Sequence, residues 1–228
     1  PDYNLAMQQH HKYIEALRQC AVNVTILEAD ENFPDSTFVE DNALLTHKCA
    51  IICNPGAVSR RGEVVKMKEV LEGFYENIEE IKSPGTMEAG DIMMVGDHFY
   101  IGLSERTNKE GAQQTISILE KYGLSGSMVE LKEVLHLKTG LAYLENNNLI
   151  ACGEFLEKDE FSKFTILKID DSEAYAANCI WVNGNVIIPD HYPKAKEIIE
   201  NAAYKTIVVD VSEFRKLDGG LSCLSLRF

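Results

Sequence analysis

No stretch of this chain approaches the roughly 18 to 20 consecutive apolar residues that span a bilayer. The opening Pro1-Asp2-Tyr3-Asn4 has neither the basic end nor the apolar centre of a secretory signal. Membrane insertion is therefore not expected. Basic residues are few: 22 Lys and Arg against 36 Asp and Glu leave a net charge of −14, and no long basic run appears. Affinity for a polyanion comes mainly from neutralising phosphates with Lys and Arg, so a nucleic acid is excluded as partner. A small cationic ligand suits this balance, although an acidic surface is also how a cytosolic protein stays soluble. Six cysteines in 228 residues are too sparse for a disulfide scaffold, and reduced thiols in the cytoplasm are the simpler expectation. Cys49 and Cys53 flank the strand-like Ala50-Ile51-Ile52, with no second Cys or His pair at zinc spacing. No metal is expected there, because such cysteines behave as small apolar side chains.

What the chain does have is enough apolar material, 45% of its residues, to bury a substantial core as a single domain over residues 1–228. A helix pattern over residues 5–19 leads into a strand-like run at 22–27. Four segments then repeat one plan, an apolar strand, a polar turn and a second apolar strand. Their turns lie at Thr46-His47-Lys48, Gly96-Asp97, Asn146-Asn147-Asn148 and Asn183-Gly184-Asn185. Amphipathic stretches at 62–75, 108–122 and 193–203 follow three of these hairpins, while the link at 155–161 is less regular. Further strands at 127–131, 165–169 and 206–210 close three units. A repeat of about 40 to 50 residues suggests a ring in which each unit buries its apolar face against its neighbours. Four hairpin units are present, and the helix-strand fragment at the front plus a lone strand at 221–228 would supply a fifth whose first part is incomplete at the N-terminus.

Chemistry-bearing residues fall at the ends of these strands. The segment Phe33-Pro34-Asp35-Ser36-Thr37-Phe38-Val39-Glu40-Asp41 puts Asp35, Glu40 and Asp41 within seven positions just before a strand. Clustered acids repel one another unless a cation or hydrogen-bond donors meet them. Arg60 and Arg106 follow the second strands of successive hairpins, and the guanidinium fork suits a carboxylate. Glu88 opens the second hairpin beside Ala89-Gly90, His136 enters the third between two leucines, and Cys223 follows Gly219-Gly220 near the end. Each has an ordinary alternative as a solvated or core residue. Together a thiol, an imidazole and acids provide a nucleophile, a proton carrier and a cation site.

These segments, with Asn54-Pro55-Gly56-Ala57-Val58-Ser59-Arg60-Arg61, Gly102-Leu103-Ser104-Glu105-Arg106-Thr107-Asn108, Leu135-His136-Leu137-Lys138 and Asp218-Gly219-Gly220-Leu221-Ser222-Cys223, resemble the dimethylarginine dimethylaminohydrolases, members of the guanidino-group-modifying (pentein) superfamily. The resemblance covers nearly the whole chain. It implies an α/β fold, a five-bladed ββαβ propeller with pseudo-fivefold repeats around a central channel, and no cofactor. It implies Cys223 as nucleophile, His136 as general acid and base, and Glu88 as the acid that hydrogen-bonds the guanidinium and supports proton movement. Asp35, Glu40 and Asp41 would bind the cationic head or α-ammonium, and Arg60 and Arg106 the α-carboxylate. The family's first strand and the loop that covers the substrate have no counterpart in this sequence, so no lid residue is named.

The implied reaction takes a small cationic guanidino amino acid to citrulline and an amine through a covalent thiouronium on sulfur. Carboxylate neighbours disfavour a thiolate, and an arriving cation favours it. Hydrolysis of Nω-hydroxyarginine, deimination of arginine and amidino transfer use similar chemistry and stay open, as does a non-enzymatic ring that binds a macromolecule. Nothing in the sequence sets the oligomeric state, and a homodimer is among the options.

Overall fold

Each apolar-turn-apolar segment folds as an antiparallel hairpin, and a third strand joins parallel to the hairpin's second strand in all four cases. The computed structural model describes residues 1–228. A parallel neighbour cannot be reached through a tight turn, which is why helical structure separates the second and third strands of every sheet. The product is an α/β fold of four small three-stranded sheets, whose residues group into two compact units.

One unit holds Ala29–Lys138 and Cys223–Phe228. Its first sheet pairs Ala43–Leu45 with Ala50–Ile52 and adds Ile78–Glu80 after the helix Glu63–Leu71. The second pairs Ile92–Val95 with His98–Leu103 and adds Ser125–Glu130 after the helix Lys109–Lys121. The middle strands are covered on both faces, and Ile51, Phe99 and Ile101 are fully buried with Leu44, Met87 and Leu119 around them. Asn108 fixes the start of the second helix. Its Oδ1 accepts from the Gly111 amide at 2.8 Å and from the Thr86 amide at 3.0 Å, so one cap also ties down the segment that leads to Glu88. A Cβ on Gly111 would lie 1.9 Å from the Thr86 carbonyl oxygen; only a glycine lets these backbones touch. The expected strand at 221–228 does not form. A 3-10 turn, Ser222–Leu224, takes its place and no ladder follows, because apolar character alone gives a strand no hydrogen-bonding neighbour.

The other unit holds Pro1–Glu28 and Thr139–Ser222. The first helix, Tyr3–Gln19, is capped by Asp2, whose Oδ1 accepts from the Leu5 amide at 3.0 Å. Leu141–Tyr143, Asn148–Ala151 and Thr165–Lys168 form one sheet; Ile180–Val182, Asn185–Pro189 and Lys205–Val209 form the other, joined through the helix Pro193–Asn201. The irregular link at 155–161 is two 3-10 turns, Gly153–Glu157 and Asp159–Phe161, anchored by the buried rings of Phe155 and Phe161. The run at 22–27, expected as a strand, joins no sheet. Its alternation is suited to a ladder, and no neighbouring strand supplies one.

Candidate active site

The short segment between the two hairpins of the first unit carries Glu88 and Asp91, both buried. Met87 is fixed by an isolated bridge to Asn54, with its amide donating to the Asn54 carbonyl at 2.8 Å. Glu88 is thereby held with its side chain buried. One carboxylate oxygen accepts from the Ala57 amide at 3.1 Å, and the other lies 2.8 Å from His136 Nε2. Burial alone would raise this carboxyl group, but the His136 hydrogen bond and charge, the Ala57 amide and Arg60 together hold it below the ordinary range. Burial likewise works against protonated His136. The Glu88 hydrogen bond and the charges of Asp41, Asp91 and Glu88 win, lifting the imidazole to about 9. At neutral pH the pair is an imidazolium against a carboxylate, an arrangement able to give up a proton.

Asp41 completes this cluster. Its Oδ1 accepts from the Gly90 amide at 3.1 Å and its Oδ2 from Arg60 Nη1 at 2.6 Å. A Cβ on Gly90 would stand 2.7 Å from Asp41 Oδ1 and 3.0 Å from His136 Nδ1, so the absent side chain is what lets the acid and the imidazole meet over this backbone. Asp41, Glu88 and His136 each bring a donor atom within 4.8 Å of the others, close enough to grip an ion. Within the protein, Glu88 Oε2 and His136 Nε2 bond each other, and the two Asp41 oxygens accept from Gly90 and Arg60. Such a set is suited to moving protons rather than to ligating a metal.

The two arginines singled out from the sequence are used differently. Arg60 is buried; Nε reaches Glu63, Nη1 reaches Asp41, and Nη2 reaches Glu63 and the carbonyls of Asp35 and Phe38. Of its five N–H donors, one at Nη1 remains. Arg106 is half-buried and has no ion pair within the protein. Its backbone is held by an amide bond to Ser104 Oγ at 2.9 Å. The acids differ as well. Glu40 accepts from Lys138 at 2.6 Å and from Arg227 at 3.2 Å, whereas half-buried Asp35 has no ion pair.

Among the six thiols, Cys20, Cys49, Cys53, Cys152 and Cys179 are buried, and burial pushes all five up, Cys152 to about 11 and Cys179 to about 12. Cys53, close to Asp41 and Glu88, is raised further by their charges. These five are inert. Cys223 is the one cysteine that is not buried, and it lies in the same compact unit as Asp35, Glu40, Asp41, Arg60, Glu88, Arg106 and His136. Sequence reasoning did not single out Glu63, Lys138, Arg227 or the fully buried Asp91. Glu63 had a signal, an acid three residues beyond an arginine at a helix start. Asp91 had none beyond its place in Glu88-Ala89-Gly90-Asp91.

A half-buried thiol, a buried imidazole paired with a carboxylate, and a surrounding set of acids are the equipment of an enzyme that attacks a cationic carbon through sulfur. The family described as N,N dimethylarginine dimethylhydrolase, eukaryotic, matches residues 2–224. An N(G),N(G)-dimethylarginine dimethylaminohydrolase of Pseudomonas aeruginosa is 61% identical over 229 residues, spanning 100% of this chain and 90% of its own length. One from Streptomyces coelicolor is 31% identical, over 99% of this chain and 87% of its own. The chain belongs to the dimethylarginine dimethylaminohydrolase family. The crystal structure of the Pseudomonas aeruginosa enzyme, a serine-for-cysteine mutant complexed with citrulline, superposes with a TM-score of 0.99 at 61% identity, covering 100% of this chain and 90% of that one. The N-terminal domain of ArgZ, an arginine dihydrolase, shares the fold at 20% identity and a TM-score of 0.91, over 99% of this chain and 87% of that one.

Proposed function

We propose that this chain hydrolyses the guanidino C–N bond of Nω-methylated arginines, giving citrulline and an alkylamine, with Cys223 as the nucleophile. The observation that carries this assignment is the buried Glu88–His136 pair at 2.8 Å, in the same compact unit as the one cysteine that is not buried.

A guanidinium carbon is a poor electrophile, so attack needs sulfur and a site that concentrates negative charge around the cation. The Cys223 thiolate forms a bond to the central carbon. His136, loaded with a proton by its carboxylate neighbours, donates it to the departing amine as the C–N bond breaks and a thiouronium forms on sulfur. Neutral His136 then takes a proton from water, the resulting hydroxide adds to the same carbon, and the C–S bond breaks to release citrulline. Glu88 orients the imidazole and bonds the guanidinium. Asp35, Glu40 and Asp41 supply the negative charge for the cation. Glu40 and Asp41 are already paired with internal cations, which leaves Asp35 for the α-ammonium group. Arg106 offers its full fork to the α-carboxylate, and Arg60 adds its single remaining hydrogen. The four sheets of one topology favour the five-bladed ββαβ propeller, a single domain over residues 1–228.

The test is citrulline release from dimethylarginine, monomethylarginine, hydroxyarginine and arginine. Dimethylarginine is expected to give the highest kcat/KM. The C223S variant is expected to bind dimethylarginine and release no citrulline; turnover by C223S overturns the nucleophile assignment.

A further inference from the structure

Asp91 has no exposed surface at all and lies three residues beyond Glu88, yet neither of its oxygens touches the proton-carrying pair directly. One accepts from the backbone amide of Leu137 at 3.0 Å, the residue that follows His136. The other accepts from Ser104 Oγ at 2.7 Å, and Thr107 donates its hydroxyl to the same carboxylate. Ser104 Oγ in turn accepts from the amides of Arg106 and Thr107 at 2.9 and 3.1 Å. Thr107 Oγ1 closes the circuit by accepting from the Glu88 amide at 3.1 Å.

We propose that Asp91 is a positioning residue that couples the acid–base histidine, His136, to the loop that presents Arg106, so that the proton carrier and the carboxylate fork are set by one buried side chain. Its first task is geometric. A carboxylate offers enough lone pairs to bind two hydroxyls and an amide at once, and its partners sit on three separate stretches of chain, 86–91, 104–107 and 136–138. Its second task is electrostatic. His136 faces Glu88, Asp41 and Asp91, and the last of these favours the imidazolium without bonding to it. Glu88 and Asp41 are exposed to exchange of partners when a cationic substrate arrives beside them; Asp91, closed off from solvent, keeps its charge in place through the cycle. Burial is also the main influence on Asp91 itself, raising it to about 6, against the opposing pull of His136 and its three donors. It is therefore ionised across the range in which His136 carries its proton above neutrality. A buried carboxylate with every oxygen satisfied by donors from different segments holds geometry that a solvated one does not.

This role rests on His136 being the acid and base of the reaction. In D91N the amide nitrogen cannot accept, so one arm of the network is lost together with the charge. The expected result is a fall in kcat of about tenfold or more, and an alkaline limb of the kcat profile displaced to lower pH by about one unit, because His136 releases its proton more readily. A side chain that merely supports the fold would lower the rate at every pH and leave the limb where it was, and that outcome overturns the proposal. S104A breaks only the arm to Arg106: KM is expected to rise several-fold with the alkaline limb unmoved, and an unchanged KM overturns the coupling. Should D91N fail to fold, the Leu137 amide proton of the unaltered protein decides the histidine arm. It is expected to shift in frequency with a midpoint near pH 6 as Asp91 ionises, and a flat response overturns it. H136G keeps the two levels apart. An active H136G strikes at the acid–base assignment, whereas an inactive H136G beside an unshifted D91N limb overturns the role of Asp91 alone.

Discussion

His136 is buried among Glu88, Asp41 and Asp91, and that crowding ties proton affinity to stability. Its folded value of about 9 stands above the ordinary 6.5. Below 6.5 the folded and unfolded states are both protonated and the stabilisation is complete; as pH rises through about 9 it is lost. The thermal midpoint is expected to fall over that interval, and E88Q, which removes the strongest influence raising the imidazole, should reduce the fall. A fall of equal size in E88Q would detach it from this pair. Asp91 acts in the same sense at lower pH: burial lifts it from 3.8 to about 6, so its contribution is full below 3.8 and lost as pH climbs through 6. At this scale the candidate residues were legible in the sequence by type and setting, but their connections were not. Arg60 and Arg106 occupy equivalent places after their hairpins, yet the first is consumed by Asp41 and Glu63 and the second is not. Nothing in a string of residues tells how many of an arginine's donors its own protein takes.

Hairpins and helices were readable because turn clusters and apolar runs alternate with the right periods. The runs at 92–95 and 98–102 appear as strands in antiparallel register, Ile92 opposite Ile101. What escaped was pairing. Ile78–Glu80 is a strand although two of its three residues are glutamates, because the parallel edge of Ala50–Ile52 accepts it; the runs at 22–27 and 221–228 look more like strands and find no ladder. Strand character is conferred by a neighbour as much as by a side chain. Element contacts also carry a mutational prediction. Gly111→Ala places a methyl group where the Thr86 carbonyl stands, and the helix must shift away from the segment that carries Glu88. A loss of about 2 kcal/mol or more is expected in urea denaturation, against about 1 kcal/mol for N108A, which removes the cap and its bonds to the Thr86 amide and the Pro84 carbonyl but leaves the backbones in contact. Equal losses would mean the backbone contact yields cheaply.

The molecule as a whole is acidic, with a net charge of −14, and the proposed substrate is a cation. Long-range attraction of this kind raises the encounter rate and is screened by salt. Values of kcat/KM are expected to fall as ionic strength rises from about 20 mM to about 500 mM, where the Debye length shrinks to a few ångströms; a flat response would confine the attraction to the pocket. No helix is long and apolar enough to cross a membrane. The burial of five of the six cysteines has a further use at this scale, as a record of breathing. In the native state a thiol reagent should modify one position quickly, and each additional adduct must wait for the segment around it to open. Cys49 and Cys53 lie in one compact unit and Cys20, Cys152 and Cys179 in the other, so the order in which mass is gained, followed peptide by peptide, would reveal which half of the molecule loosens first.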